Sequence, residues 1–321
     1  MEMKKTAALF LSSLLLLLCA CGKQADPIEG MILSAGEETG TYYQFGNLLA
    51  RQVNAATTTF IAAVSSEGSR GNIQSLARGD SQFAFTQYDV MLYARQGLET
   101  FRVNGPNENF SVAAALYPES VHVVTLDPGI KSVADLAGKR VSLGPAGSGS
   151  YFNAVDVLDA YGLTQKDIEV CNYTQHDAID ALLGGWLDAV FVVAGAPTGT
   201  VTALTEERQV YLVSLEEEII EKMIAESPAY SRTVIGADVY GTAEDCVTVA
   251  VDAIVIAGNS VPDDAVYDFL RGVFDNTAKL KNESPIAEYL SLDRAASVTG
   301  VPYHPGAARY FAEHGITVPV G

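Results

Sequence analysis

The sequence predicts an α/β protein of two lobes that are joined by two extended crossings. Short apolar strands alternate with helices of 3.6-residue periodicity, which is the pattern of a sheet covered by helices on its faces. Two apolar runs, at 112–126 and 247–257, are longer than ordinary strands and are placed to pass from one lobe to the other. The 321 residues suffice for two domains of ordinary size.

The first α/β unit follows residue 30. In the helix predicted at 42–54, Phe45, Leu48 and Val53 recur on one face, as in an amphipathic helix. The β-α-β-α-β order of this unit predicts a parallel sheet. Its strands are expected at 31–35, 60–65 and 82–86, and its second helix at 71–77.

The second unit begins after the first crossing. We expect helices at 132–138, 151–161, 176–184 and 197–205, and strands at 140–143, 169–173, 189–193 and 209–213. The helices expected after the second crossing, at 263–281, 286–289 and 303–314, would pack back on the first unit. The predicted domains are therefore 31–122 plus 247–321 for one lobe and 123–246 for the other.

The first twenty residues resemble a bacterial lipoprotein signal peptide. Lys4 and Lys5 precede an apolar run at 6–18, which is too short to span a bilayer comfortably. Cys21 follows Ala20 and has the position of the lipidated residue. Residues 21–30 would then be a tether, and the protein would be extracytoplasmic and anchored by an N-terminal lipid. An ordinary secretory leader is the alternative, and it also implies export.

Charge and cysteine content limit the possible partners. A formal charge of −19 disfavours nucleic acid, because contact with phosphates needs a basic surface. With Cys21 lipidated, Cys171 and Cys246 remain, in segments that we place in different parts of the fold. Two free thiols are therefore expected, and a disulfide is the alternative.

Candidate ligand-binding residues lie where the predicted strands end, because ligands of such sheets bind beyond the carboxyl ends of the strands. The loop at 144–150 joins a strand to a helix and offers backbone N–H groups and hydroxyls to an anion. A similar loop at 36–41 would face it across a cleft. We expect polar contacts from Tyr42, Ser66, Gln87, Ser148 and Ser150, with backbone help from Gly147 and further contacts from the loops that contain Gly40 and Pro197.

For the serines, a role in turns and helix caps is the alternative. Arg70 is a candidate carboxylate clamp, since a guanidinium can bind both oxygens at once, or else an exposed arginine at a helix start. Tyr117 either lines the cleft at the first crossing or belongs to the core. Asp188 is predicted to be structural.

Motifs for catalysis are missing from the sequence. The four histidines, at 122, 176, 304 and 314, have no metal-binding spacing, and no H-E-x-x-H or C-x-x-C occurs. The glycine loop lacks both the G-x-S-x-G pattern and the lysine of a P-loop. We therefore expect no metal, no cofactor and no enzymatic activity.

The chain resembles the TAXI-type extracytoplasmic solute receptors of TRAP transporters over nearly all of its mature length. The motifs that carry the resemblance are Gly40-Thr41-Tyr42-Tyr43, Gly68-Ser69 with Asn72, Leu116-Tyr117-Pro118-Glu119 with Val121-His122-Val123-Val124, Gly144-Pro145 with Gly147-Ser148-Gly149, Leu187-Asp188-Ala189 with Phe191, and Ala194-Gly195-Ala196-Pro197. The resemblance implies a type II periplasmic-binding-protein fold that closes on a small organic acid, such as glutamate or a related carboxylate or amino acid. It also implies delivery of that ligand to an ion-driven membrane permease.

This sequence departs from the family pattern at a few positions. Glu37 and Glu38 stand where small or neutral residues are usual, Gln44 where a proline is common, and Arg70-Gly71 replaces a more apolar-acidic pair. We expect both glutamates to face solvent, because they would repel a carboxylate from inside the cleft; contact with a ligand ammonium is the alternative. A sensory ligand-binding module or an exported enzyme on the same fold is the alternative function.

Overall fold

A computed structural model describes residues 30–321 as one mixed sheet of ten strands with helices on its faces. The predicted signal peptide, most of the tether and the lipidation site Cys21 lie outside the described residues. The strands are β1 Met31–Ser34, β2 Ile61–Val64, β3 Phe83–Gln87, β4 Phe110–Thr125, β5 Arg140–Ser142, β6 Glu169–Cys171, β7 Ala189–Ala194, β8 Tyr211–Leu212, β9 Tyr230–Ile235 and β10 Cys246–Gly258.

The helices lie between and after these strands. They are α1 Thr41–Ala56, α2 Ser69–Arg78, α3 Tyr88–Gln96, α4 Gly149–Ala160, α5 Gln175–Leu183, α6 Gly199–Glu207, α7 Glu217–Glu226, α8 Ala237–Tyr240, α9 Asp263–Phe274, α10 Thr277–Glu283, α11 Leu292–Ala295 and α12 Pro305–Glu313. Short 3₁₀ turns occupy Glu99–Phe101, Val133–Leu136 and Pro285–Tyr289. Between residues 30 and 321, none of these helices combines the length and apolar character needed to cross a bilayer.

The sheet order is β2-β1-β3-β10-β4-β7-β5-β6. Strands β1, β2 and β3 pair in parallel, and so do β5, β6 and β7, as the alternation of strands and helices predicts. Strand β10 is antiparallel to both β3 and β4, and β4 is antiparallel to β7. The two long strands therefore join two parallel units into one mixed sheet.

The two crossings predicted from the apolar runs are the 16-residue β4 and the 13-residue β10. They pair with each other along most of their length, and the register shifts between Ala253 and Ile254 and again between Val255 and Ile256. One half of each strand packs in the core around β1–β3, and the other half in the cores around β5–β7. Residues of the two strands between these halves form the hinge.

Three hydrophobic clusters define the two lobes. We call the part of the chain around the cluster that contains Phe83, Phe269 and Phe311 the first lobe. The second lobe surrounds two clusters on opposite sides of β7, with Phe191 in one and Val192 in the other. The residue bounds predicted for the two domains stay a prediction.

Several element predictions need correction. Helices α3 and α7 and strand β9 were not expected, the helix predicted at 263–281 is broken into α9 and α10, and the strand predicted at 209–213 contains only the two residues of β8. Cys171 and Cys246 are free thiols, as expected; Cys246 is buried, whereas Cys171 is only half-buried.

Candidate ligand-binding cleft

A cavity of about 80 Å³ lies between the two lobes, where the loop after β1 faces the loop after β5. The two glycine-containing loops therefore meet across a cleft, as the sequence predicts. Tyr42 and Gln87 reach the cavity from the first lobe, Ser148 and Ser150 from the second, and Glu119 from the crossing strand β4. The remaining lining residues are Gly36, Glu37, Gly40, Thr41, Glu67, Gly68, Ser69, Pro145, Gly149, Gln175, Val193 and Ala194.

Four helices begin at the wall of this cavity. Helices α1 and α2 start at Thr41 and Ser69 in the first lobe, and α4 and α5 start at Gly149 and Gln175 in the second. The N–H groups of a first helical turn have no partner within the helix, and the helix dipole makes this end positive. Gly68, with φ 87°, turns the chain into α2 without the strain that a side chain would bring. The four helix ends therefore favour an anion, whereas Glu37 and Glu67 in the same walls act against one.

A buried hydrogen bond lies at the floor of the cavity. The Tyr42 hydroxyl donates to Oε2 of Glu119 over 2.7 Å. Glu119 is 3% exposed, and its burial raises the pKa of its carboxyl to about 8, although the hydrogen bond from Tyr42 acts in the opposite direction. The pKa of Tyr42 is also raised, mainly by burial and then by the Glu119 charge. The floor thus contains a buried carboxyl group, and the walls combine four helix N-termini with the side chains of Glu37 and Glu67.

Two contacts join the lobes across the cleft. The side chain of Gln87 lies against Gly149 so closely that a Cβ on that glycine would be 1.6 Å from Oε1 of Gln87. Across the cleft, the backbone N–H of Gln175 donates to Oε2 of Glu37 over 3.2 Å at the start of α5. Burial nevertheless raises the pKa of Glu37, because the single backbone hydrogen bond only partly offsets the loss of solvent.

The predicted site residues fall into three groups. Gly40, Tyr42, Gln87, Ser148 and Ser150 line the cavity between the lobes. Ser148 also accepts a hydrogen bond from the backbone N–H of Tyr151, so the cap role that we weighed for it is present as well.

The other predicted residues lie around this cavity. Ser66, Arg70 and Gly147 line an adjoining cavity of about 430 Å³, where the Arg70 guanidinium packs against Gly147. Tyr117 is fully buried beside Phe45, and its hydroxyl has no hydrogen-bond partner among the described residues. Pro197 lies at a separate groove between α1 and α6.

The expectation that both loop glutamates face solvent is wrong for Glu37. Glu38 is exposed, but Glu37 lines the cavity and contacts the second lobe. Its carboxylate is tolerated there because it accepts a hydrogen bond at a helix N-terminus. The sequence analysis did not predict Glu119, Ser69 and Gln175 as lining residues. Glu119 belongs to a motif that carries the family resemblance, and this was the available indication of its importance.

Polar networks outside the cavity have structural roles. Asp188 accepts hydrogen bonds from the backbone N–H, Nε and Nη2 of Arg140 at 2.7–3.0 Å, which confirms its predicted structural role. His122 is fully buried, and its ring contacts the carbonyls of Ser120 and Val192 and the Tyr240 hydroxyl. From residue 30 to the C-terminus, no cluster of three His, Cys, Asp or Glu side chains could hold a metal ion.

The fold, with two α/β lobes that close on a cleft and two long crossing strands, is that of the type II periplasmic binding proteins. The chain belongs to the NMT1-like family, whose model matches residues 33–315. Among solved structures, the alkanesulfonate-binding protein SsuA from Xanthomonas axonopodis pv. citri, bound to MOPS, is 16% identical with a TM-score of 0.53. That similarity covers 88% of this chain and 83% of SsuA.

A putative L-cystine ABC transporter from Listeria monocytogenes is 14% identical with a TM-score of 0.51. The similarity covers 82% of this chain and 99% of that one. At such identities, the two structures support the fold alone.

Proposed function

We propose that the protein is an extracytoplasmic solute-binding receptor of the TAXI type, which closes on a small organic acid and delivers it to a TRAP-type transporter. The observation that carries the proposal is the convergence of four helix N-termini on one cavity shared by both lobes. Such an arrangement favours an anion without any metal or cofactor. The protein would act by binding and release and not as an enzyme.

The size of the closed cavity supports a small ligand. The 80 Å³ is the space open to the centres of water-sized spheres, and one water needs about 10–15 Å³ of such space. The cavity therefore has room for roughly six water-sized groups. An acid of about three to five carbon atoms fits this space, with a carboxylate on the helix N-termini. A glutamate-like ligand is at the upper end of that range, and the adjoining cavity would offer room for a longer one.

Within this proposal the site residues have distinct roles. Tyr42, Gln87, Ser148 and Ser150 contact the ligand directly, and Gly40 presents the backbone at the start of α1. Ser66, Arg70 and Gly147 line the adjoining cavity. From there, the Arg70 guanidinium would reach a carboxylate of the ligand. Tyr117 supports the floor, and Pro197 supports the loop after β7.

Delivery to a TRAP permease rests on the motif resemblance alone. The structural comparison does not support it, because the Listeria protein is described as an ABC transporter. The lipid anchor rests on Cys21 and the segment before it. A Cys21→Ser variant should leave the membrane fraction of the producing cell and appear in the soluble fraction. Ligand uptake by membrane vesicles that carry the permease should require the purified receptor.

Thermal unfolding of ligand-stripped protein tests the proposed ligand class. The panel consists of three- to five-carbon acids and the corresponding amino acids. A ligand at about a thousand times its dissociation constant adds roughly 4 kcal/mol to the free energy of unfolding. No stabilisation by any acid in the panel would refute the carboxylate assignment.

Two serine variants provide a matched comparison for this experiment. Ser148 and Ser132 both cap the start of a helical segment in the second lobe, but only Ser148 lines the cavity. Either change to alanine should cost about 1 kcal/mol of stability. Only Ser148→Ala should also reduce the stabilisation by the ligand.

A further inference from the structure

Glu119 is a buried carboxyl group inside the cavity at which four helices begin. It is 3% exposed, it lies on β4 beside the hinge, opposite Val251 of β10, and it lines the cavity. None of the described residues that line this cavity is Lys, Arg or His. An ionised Glu119 would therefore have no cation beside it.

The groups packed around Glu119 are hydroxyls, an amide and further acids. Tyr42 faces it from α1, Tyr117 from β4, and the Gln87 amide from the end of β3. Asp89 at the start of α3 and Asp252 on β10 raise the pKa of Glu119 by repulsion, in addition to the larger effect of burial. Arg294 of α11 pairs with Asp252 and not with Glu119.

The ligand adds its negative charge to a cavity that Glu37 and the exposed Glu67 line together with the buried Glu119. Two like charges a few ångströms apart in a water-poor cavity repel strongly, and no mobile solvent is left to screen them. Protonation of Glu119 removes the most buried of these negative charges, which is the one that solvent screens least. Its Oε2 accepts from the Tyr42 hydroxyl, so a proton on Oε1 converts Glu119 into a hydrogen-bond donor, as in other sites that hold a carboxylic acid neutral to bind an oxyanion.

We propose that the ligand is captured as an anion by the protonated form of Glu119, which donates a hydrogen bond to the ligand carboxylate. This inference rests on the proposed function, because it concerns the same cavity. No covalent bond is made or broken. Above the pKa of Glu119, the proton is taken from solvent as the ligand binds and returns to solvent as the ligand leaves. The receptor would therefore bind acids tightly at neutral pH and release them as the pH rises.

Isothermal titration calorimetry with matched ligand pairs tests the inference. The probes are L-lactate and L-alanine, and 2-oxoglutarate and L-glutamate, which differ by the ammonium group. At pH 8.5, titrations in two buffers with different enthalpies of ionisation should reveal uptake of about three-quarters of a proton per bound acid, since this is the ionised fraction of a group with a pKa of about 8. Above the pKa of Glu119, about 8, the affinity should fall roughly tenfold per pH unit.

Three variants assign the proton to Glu119. Glu119→Gln, which is neutral at every pH, should still bind the acid, without proton uptake and with one affinity from pH 6.5 to 9. Glu38→Gln removes an exposed acid from the same cleft rim and should keep the pH dependence. Asp89→Asn removes the neighbouring carboxyl whose pKa burial raises to about 7, and it should keep the proton uptake at pH 8.5.

The outcomes separate this inference from the receptor function. Binding of an acid by the wild type without proton uptake would overturn the inference and leave the receptor standing. Binding of only the amino acids, abolished by Glu119→Gln, would also overturn it, because Glu119 would then pair in its ionised form with an ammonium. If no probe binds to the folded wild type, the carboxylate assignment and this inference both fail.

Discussion

The substitution Gly149→Ala should disturb the closed cleft and weaken ligand binding. A Cβ at this position would lie 1.6 Å from Oε1 of Gln87, whereas ordinary van der Waals contact needs 3.4 Å or more. Either the Gln87 side chain, whose Oε1 has no hydrogen-bond partner among the described residues, turns away from the cavity, or the lobes separate by nearly 2 Å at this point. Both changes remove hydrogen bonds between the protein and the ligand. Losing one such bond to a charged ligand costs about 1.5–3 kcal/mol, or roughly a 10- to 100-fold weaker affinity.

Calorimetry of ligand binding is the assay, with Gly199→Ala as the matched control. Gly199 also begins a helix of the second lobe, but the nearest atom to its Cβ would be 3.6 Å away. Both variants should unfold at nearly the wild-type temperature without ligand, since neither glycine needs a positive φ. Replacing Gln87 by Ala in the Gly149→Ala protein should restore closure in small-angle scattering. Wild-type affinity in Gly149→Ala would refute the reasoning.

Three further predictions concern stability. Burial lowers the pKa of His122 to about 4, so the contribution of His122 to the free energy of unfolding should fall by up to about 3 kcal/mol between pH 6.5 and 4. Glu119 and Asp89, whose pKa values are raised to about 8 and about 7, act in the opposite direction over this range. Thermal melts should therefore show a His122→Asn variant gaining stability relative to the wild type as the pH falls. Phe191→Ala should lower the free energy of unfolding in urea by about 3–5 kcal/mol, because this side chain is 1% exposed. Phe60→Ala is the control: the side chain is 56% exposed, and its loss should cost less than about 0.5 kcal/mol. Equal losses of stability in the two variants would contradict this account of the core. Asp188→Asn should lower the free energy of unfolding by about 1 kcal/mol, because it weakens the ion pair with Arg140. The affinity for the ligand should not change. A weaker affinity would show that Asp188 has a role in binding as well as in the fold.

The sequence predicts the architecture because apolar periodicity determines which segments become strands and helices. Most strands and helices of both lobes and the two crossings lie close to their predicted places. Helix α3 escaped prediction because Tyr88 follows β3 with no turn residue between them. Strand β9 has an exposed, polar centre with Arg232 in it, and it becomes a strand only by pairing with β10. The local sequence therefore indicates neither the start of α3 nor the formation of β9.

The cleft was predictable in outline but not in its chemistry. Glycine and serine loops at strand ends indicate where a ligand binds, and they do meet across the cavity. The place of Glu119 depends on how the long strand β4 turns between two lobes, and an apolar run does not reveal that rotation. Glu37 was assigned to solvent because repulsion of a ligand was considered without the N–H of Gln175, which a distant helix supplies.

The position of β10 in the middle of the sheet has a consequence for the order in which a nascent chain can fold. Strand β10 lies between β3 and β4, so Phe83 pairs with Ala257 and the first lobe cannot complete its sheet until residue 258 has emerged. The first half of β10 pairs with β9 of the second lobe, which allows that lobe to close slightly earlier. A chain stopped before residue 246 would expose the edges of β3 and β4, and such edges invite aggregation. Productive folding therefore waits for the last quarter of the chain.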